Sequence, residues 1–186
     1  MEKNAETSKR KSRIICPDTV ITSSIKVAPL TRRLMKTLSA LMGVPIIHRG
    51  KSNLDEIAYY VKRAGFRSFV VFFSRGDKPS LLSFYKLTEK GFFVRYGCIV
   101  LSNVIFHRRP RLYIGFNIIS EDSEALAEKI WDFIIGIFGE DSCESFRGRI
   151  CNSIIKNAGD KGVIEFWDKR KILTLEVKKV VISREK

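Results

Sequence analysis

The chain has 186 residues, 45% of them hydrophobic, and carries a formal charge of +14 from 34 Lys and Arg against 20 Asp and Glu. That apolar content is enough for a packed core in one domain or two small lobes, which excludes a disordered polyelectrolyte. No uninterrupted apolar stretch approaches the roughly 20 residues that cross a bilayer and none follows the polar start, so no membrane is expected and the cytoplasm is the expected location.

The predicted elements begin after a polar stretch. Residues 1–17, with Lys9, Arg10, Lys11 and Arg13 close together, read as a flexible basic arm ahead of a folded domain over 18–186. Thr19, Val20, Ile21 and Thr22 form a β-branched run. Pro29 then opens a helical pattern that stops at Gly43. Leu30, Leu34, Leu38 and Leu41 share its apolar face, and Arg32, Arg33 and Lys36 fall on the opposite side.

Residues 44–48 predict a strand, and Arg49, Gly50 and Lys51 turn into a second helix capped by Ser52 or Asn53. Asp55 and Glu56 in its first turn and Lys62 and Arg63 in its last suit the helix dipole. Residues 68–74 are continuously apolar in the middle, as in a strand covered on both faces. Paired strands follow over 81–87 and 92–100, with a short piece at 104–106. Residues 112–118 predict another strand, after which Ser120 caps an acidic turn ahead of an apolar helix through Trp131 and Phe138. Residues 163–167 and 172–182 form a closing hairpin. Each half holds strand, helix and hairpin parts, a hint of duplication that no sequence repeat supports.

The charge is lopsided along this order. Residues 1–51 carry 11 cations and 3 anions, residues 52–113 carry 11 and 4, and residues 114–186 carry 12 and 13, giving +8, +7 and −1. Such asymmetry suits a surface that neutralises phosphates and releases their counterions. Three local features could hold a phosphate. The Arg49, Gly50, Lys51 turn joins a permissive glycine to a helix amino end, though it lacks the spacing of a nucleotide-binding loop. Arg75 and Lys78 flank a turn after the most apolar strand. Arg108, Arg109 and Arg111 place three guanidiniums within four residues, a density that mutual repulsion makes costly without an anion.

The aromatic rings sit mostly in apolar runs such as Phe69, Phe72 and Phe73 and read as core. Tyr59, Tyr60, Tyr85 and Tyr96 are the candidate exposed platforms, and base stacking is not expected of any one of them. The four cysteines, Cys16, Cys98, Cys143 and Cys151, contain no C-x-x-C pair, and only His48 and His107 could join them, so no metal or other cofactor is expected. Glutamine is absent and Lys and Glu are plentiful, a composition seen in thermophiles, where Cys143 and Cys151 could pair. No hydrolase or metalloenzyme motif is present, and Asp55 and Glu56 near His48 are accounted for by the helix dipole. An enzyme, or a small-molecule substrate, is not expected.

Ala28 to Arg33 ahead of a helix, the run Arg49, Gly50, Lys51, Ser52, Asn53, Leu54, Asp55, Glu56, Ile57, and Ser83, Phe84, Tyr85, Lys86, Leu87 together resemble the Brix-domain family, in that order. The resemblance extends over roughly residues 18–182 and is weakest over 142–161. It implies an α/β fold of two lobes of mixed sheet with helices, similar to the anticodon-binding domains of class II tRNA synthetases, divided here at about 106 and 107. It implies a non-enzymatic ribosome-biogenesis factor that binds precursor ribosomal RNA without a cofactor, and it carries that role onto Arg32, Arg33, Arg49 and Lys51. Lys36, Arg75, Lys78, Arg108, Arg109 and Arg111 join the candidates by charge clustering alone. The alternative reading is a protein scaffold within a preribosomal particle, joined through the near-neutral second lobe, with RNA contact secondary.

Overall fold

The computed structural model describes residues 10–15, 18–121, 125–139 and 148–183. In chain order the elements are β1 (Arg10–Ile15), β2 (Thr19–Ser23), α1 (Pro29–Met42), α2 (Leu54–Arg63), β3 (Ser68–Arg75), β4 (Lys78–Leu87), β5 (Phe93–Phe106), β6 (Gly115–Ser120), α3 (Ala125–Phe138), β7 (Ile150–Ala158), β8 (Lys161–Asp168) and β9 (Arg170–Ile182). The nine strands make one mixed sheet in the order β1-β6-β7-β8-β9-β5-β4-β3-β2.

Two similar halves meet in that order. In the first, β2 pairs parallel with β3, and β4 and β5 follow antiparallel; in the second, β6 pairs parallel with β7, and β8 and β9 follow antiparallel. Helices separate each parallel pair, α1 and α2 in the first half and α3 in the second, as a parallel crossover requires. The seam between halves is the antiparallel pairing of β5 with β9, from Gly97 opposite Ile182 to Phe106 opposite Leu173. Gly97 makes the seam possible, since a Cβ there would stand 2.3 Å from the Val181 carbonyl oxygen and 2.7 Å from the Phe133 ring. The duplication hinted at by the sequence is therefore one of topology.

Strand alternation decides which core each helix covers. On β3, Val70 and Phe72 point into a core shared with Leu34, Leu38 and Leu41 of α1 and Ile130, Phe133 and Ile134 of α3. Phe69 and Val71 point the other way, against Ile57 and Val61 of α2. Each of these buried side chains contributes roughly 1.5–3 kcal/mol of apolar burial. Because α1 touches β2, β3 and β4 on one side of the strand order and β6 on the other, the sheet curls around it. Among the described residues no helix is long and apolar enough to cross a membrane.

Both predicted helices of the first half form as their end signals require. Pro29 opens α1, and Gly43 stops it at φ 70, where a Cβ would meet the Tyr113 carbonyl oxygen at 2.7 Å. Asn53, rather than Ser52, caps α2: its side chain accepts from the Glu56 N–H at 2.8 Å while the Glu56 carboxylate accepts from the Asn53 N–H at 3.0 Å.

Several expectations are corrected. Arg10–Ile15 is not part of a flexible arm but a sheet strand paired with β6, with Ile14 fully buried; residues 1–9, 16 and 17 lie outside the described residues. Residues 44–48 form no strand, only a single parallel bridge from Ile46 to Ile21 on the outer edge of β2. Residues 104–106 are the end of β5, not a separate piece. Ser120 does not cap a helix but ends β6, with Arg10 and Ile155 opposite, and residues 122–124 lie outside the described residues. Leu30, in the overhanging first turn of α1, is 40% exposed rather than buried. The second half, where the resemblance fades, holds β7 and β8; residues 140–147, Cys143 among them, lie outside the described residues, while Cys151 is buried.

Candidate nucleic-acid interface

Strand directions place many of the candidate cations at one end of the sheet. The register brings together there the carboxyl ends of β2, β3, β5 and β8 and the amino ends of β4, β6, β7 and β9. The turn bearing Arg75 and Lys78 and the segment bearing Arg108, Arg109 and Arg111 both lie at this end. The helix α1 spans the distance between them. At its start the Ser74 hydroxyl donates to Thr31 Oγ1 at 2.9 Å; further on, the Arg33 guanidinium lies 4.2 Å from the Phe106 ring centre; near its close the Tyr113 N–H donates to the Ala40 carbonyl at 2.8 Å. Arg32, Arg33 and Lys36 are exposed on this helix.

Eight of the ten candidates thus share one end of the sheet. Arg49 and Lys51 do not join them by any contact of the structure. Their turn follows the Ile46 bridge, and its neighbours Ile47 and Leu54 pack under α2, on the opposite face from α1. Gly50 takes φ 58 as expected of the turn, but the Arg49 Nε is spent locally, donating to the Ser52 carbonyl at 2.7 Å. The capping box also occupies N–H groups and places the Glu56 carboxylate at the helix start, which works against an anion there.

The sequence reading missed three cations at the same end. Arg149 precedes β7, and Lys169 and Arg170 form the β8–β9 turn. All three are exposed, and Lys169 adopts the left-handed φ of 54. No linear signal marked them, because the segment that contains them is nearly neutral and only strand pairing brings its cations here. With Lys26 in the β2–α1 loop, the loops and turns of this end hold nine cations (Lys26, Arg75, Lys78, Arg108, Arg109, Arg111, Arg149, Lys169, Arg170) and two carboxylates (Asp77, Asp168) among the described residues.

Only Arg108 of these cations, or of the three on α1, is ion-paired among the described residues. Its guanidinium stands 3.6 Å from Asp168 Oδ2 and donates to the Asp168 carbonyl oxygen, while its Nε is buried with no partner. Tyr113 donates its hydroxyl to Asp168 Oδ2 at 2.6 Å. That bond, with the charges of Arg108, Arg149 and Arg111, holds the Asp168 carboxyl below its ordinary pKa despite partial desolvation. Burial, then the bond to Asp168, pushes the Tyr113 hydroxyl up to about 12.

The tyrosine candidates divide. Tyr85 stacks on Phe69 at 4.6 Å; burial raises its pKa while Arg95 and Arg49 pull against the rise. Tyr96 leans on Phe133 at 5.5 Å, so both belong to the core. Tyr59 and Tyr60 stand 59% and 55% exposed on α2, away from the charged end. Among the described residues no group of His, Cys, Asp and Glu gathers as a metal site.

Fold and charge together define a mixed α/β protein of two joined halves, β-α-α-β-β-β and β-α-β-β-β, with a cationic end. No protein-family model matches the sequence, and no curated protein does. Among solved structures, a probable ribosomal biogenesis protein from Aeropyrum pernix K1 is similar over 91% of this chain and 98% of its own, with a TM-score of 0.71 at 18% identity. Mil, an archaeal Imp4-like protein, is similar over 88% of this chain and 99% of its own, with a TM-score of 0.64 at 21% identity. The chain has the fold of these proteins, which is the fold that the Brix-domain resemblance implied.

Proposed function

We propose that this chain is a non-enzymatic ribosome-biogenesis factor of the Brix type, acting in the cytoplasm, that binds ribosomal RNA or its precursor and assists its processing and subunit assembly. The observation that carries the reading is the gathering of Arg32, Arg33, Lys36, Arg75, Lys78, Arg109 and Arg111 at one end of the sheet without carboxylate partners among the described residues. Arg guanidiniums held apart from internal anions are suited to phosphate oxygens. The resemblance to Brix domains implies RNA as the anion, and the likeness to a probable ribosomal biogenesis protein from Aeropyrum pernix K1 supports the same choice. Arg49 and Lys51 enter the proposal as a separate, weaker contact on the α2 side.

The test is the salt dependence of binding to a structured ribosomal RNA fragment. Each neutralised phosphate should contribute a slope of roughly −0.7 to −0.9 in log affinity against log salt, so about six contacts give a slope near −5. A slope near zero removes the electrostatic mechanism.

A second reading, contact with another preribosomal protein, is favoured by Tyr59 and Tyr60, which stand exposed in an edge-to-face pair on α2. It places such a contact on the first half rather than on the near-neutral second one. Replacing both with Ser should abolish a protein partner that survives nuclease treatment while leaving RNA affinity unchanged.

A further inference from the structure

Residues 107–114 connect the two halves and contain no helix or strand. Arg108, Arg109 and Arg111 repel one another within this segment, so an ordered path needs ties strong enough to hold them. Backbone ties exist at the margins: the His107 N–H donates to the Ile172 carbonyl at 2.9 Å, and the Tyr113 and Ile114 N–H groups donate to Ala40 and Arg149 carbonyls at 2.8 and 3.0 Å. One side chain reaches both margins. Asp168, 60 residues from Arg108 and 55 from Tyr113, faces the Arg108 guanidinium and accepts the Tyr113 hydroxyl with the same carboxylate oxygen.

We propose that Asp168 is a positioning residue that clamps the segment 108–113 at both ends and so presents Arg109 and Arg111 to RNA phosphates. The clamp stands on the contacts alone, whereas its purpose rests on the RNA-binding reading. Between the clamped ends, Arg109, Arg111 and Leu112 are exposed, Leu112 to 83%. Counting charges gives Asp168 the wrong sign for a site that attracts a polyanion. Geometry gives the opposite sign, because a guanidinium already held in place loses less freedom on binding than one on a free loop.

The experiment compares the full chain with its Asp168→Ala and Tyr113→Phe variants. Trypsin should cut after Arg108 and Arg111 faster in Asp168→Ala, with Arg109 protected by the following Pro110. Affinity for the structured ribosomal RNA fragment at low salt should fall about three- to tenfold, although the variant gains a net positive charge. Tyr113→Phe, which removes one hydroxyl and no charge, should move both readouts in the same direction by less, and carries the test alone if Asp168→Ala does not fold. Equal or tighter RNA binding by a folded variant, or unchanged cleavage at Arg108 and Arg111, overturns the proposal. If the unaltered chain binds no RNA, the functional reading fails, and the cleavage rates still decide whether the clamp exists.

Discussion

The end of the sheet crossed by α1 and the rest of the molecule treat their cations differently. Away from that end, Arg10 pairs with Glu128 at 3.3 Å, Lys161 with Glu176 at 3.2 Å, and Lys156 with Glu165 at 3.1 Å. The opposite loops and turns mix four cations (Arg10, Arg67, Lys90, Lys161) with four carboxylates (Asp18, Glu89, Glu121, Asp160). At the α1 end, of the nine loop and turn cations and the three on α1, Arg108 alone is paired among the described residues, while Lys171, one residue into β9, pairs with Glu165 at 2.7 Å. Solubility would be served by either arrangement. Crowding like charges without internal partners destabilises the fold locally, so the contrast locates where an external anion would bring most relief.

Breaking the comparison at its charged side should have the largest effect. Arg109→Glu with Arg111→Glu should weaken RNA binding by about a hundredfold at low salt, through lost contacts and new repulsion, while the urea midpoint stays unchanged. The paired side should respond in stability instead. Glu165 is 5% exposed, and Glu165→Ala strands two lysines, so unfolding in urea should show a loss of about 2 kcal/mol with RNA affinity unchanged.

A smaller effect separates fold from charge at a single position. Lys169→Gly relieves the left-handed φ and should raise stability by roughly 0.5–1 kcal/mol, while removing one cation lowers RNA affinity about twofold. The clamp should show almost no pH dependence in the ordinary range. Tyr113 titrates higher in the fold, at about 12, than in the unfolded chain, near 10, so its contribution is complete below about 10 and lost as pH rises through about 12. Asp168 titrates lower in the fold, so its contribution is complete above about 3.9 and lost as pH falls through the lowered value. Cleavage after Arg108, corrected for the protease's own profile, should stay flat between about pH 5 and 9. Smallest of all, Arg67→Glu with Lys90→Glu at the opposite end should leave RNA affinity within about twofold, and a large loss there would erase the distinction between the two ends.

Local patterns made most of the fold legible. The β-branched run became β2, the apolar run from Phe69 became β3, and Pro29, Gly43 and Asn53 marked helix ends through rules that need only neighbouring residues. What failed depended on distant pairing. Arg10–Ile15 carries charges that read as an arm, and only the β6 backbone, about a hundred residues on, makes it a strand. The segment at 44–48 has strand composition but lies along one outer edge, where it meets a single partner residue. The candidate site divides the same way. Arg32, Arg33 and Lys36 were legible from helical spacing, whereas Arg149, Lys169 and Arg170 are brought in by sheet order, and the partner of Arg108 lies across the seam at Asp168.

The seam has a consequence for how the molecule holds together. Along residues 97–106 the backbone of β5 finds its ladder on β9, so each half supplies the other's missing neighbour and neither is a closed unit by itself. The chain is in effect a covalent dimer of unlike monomers, and its tether is the arginine-bearing stretch from 107 to 114. A nick in that tether should leave two fragments that stay associated through the shared ladder.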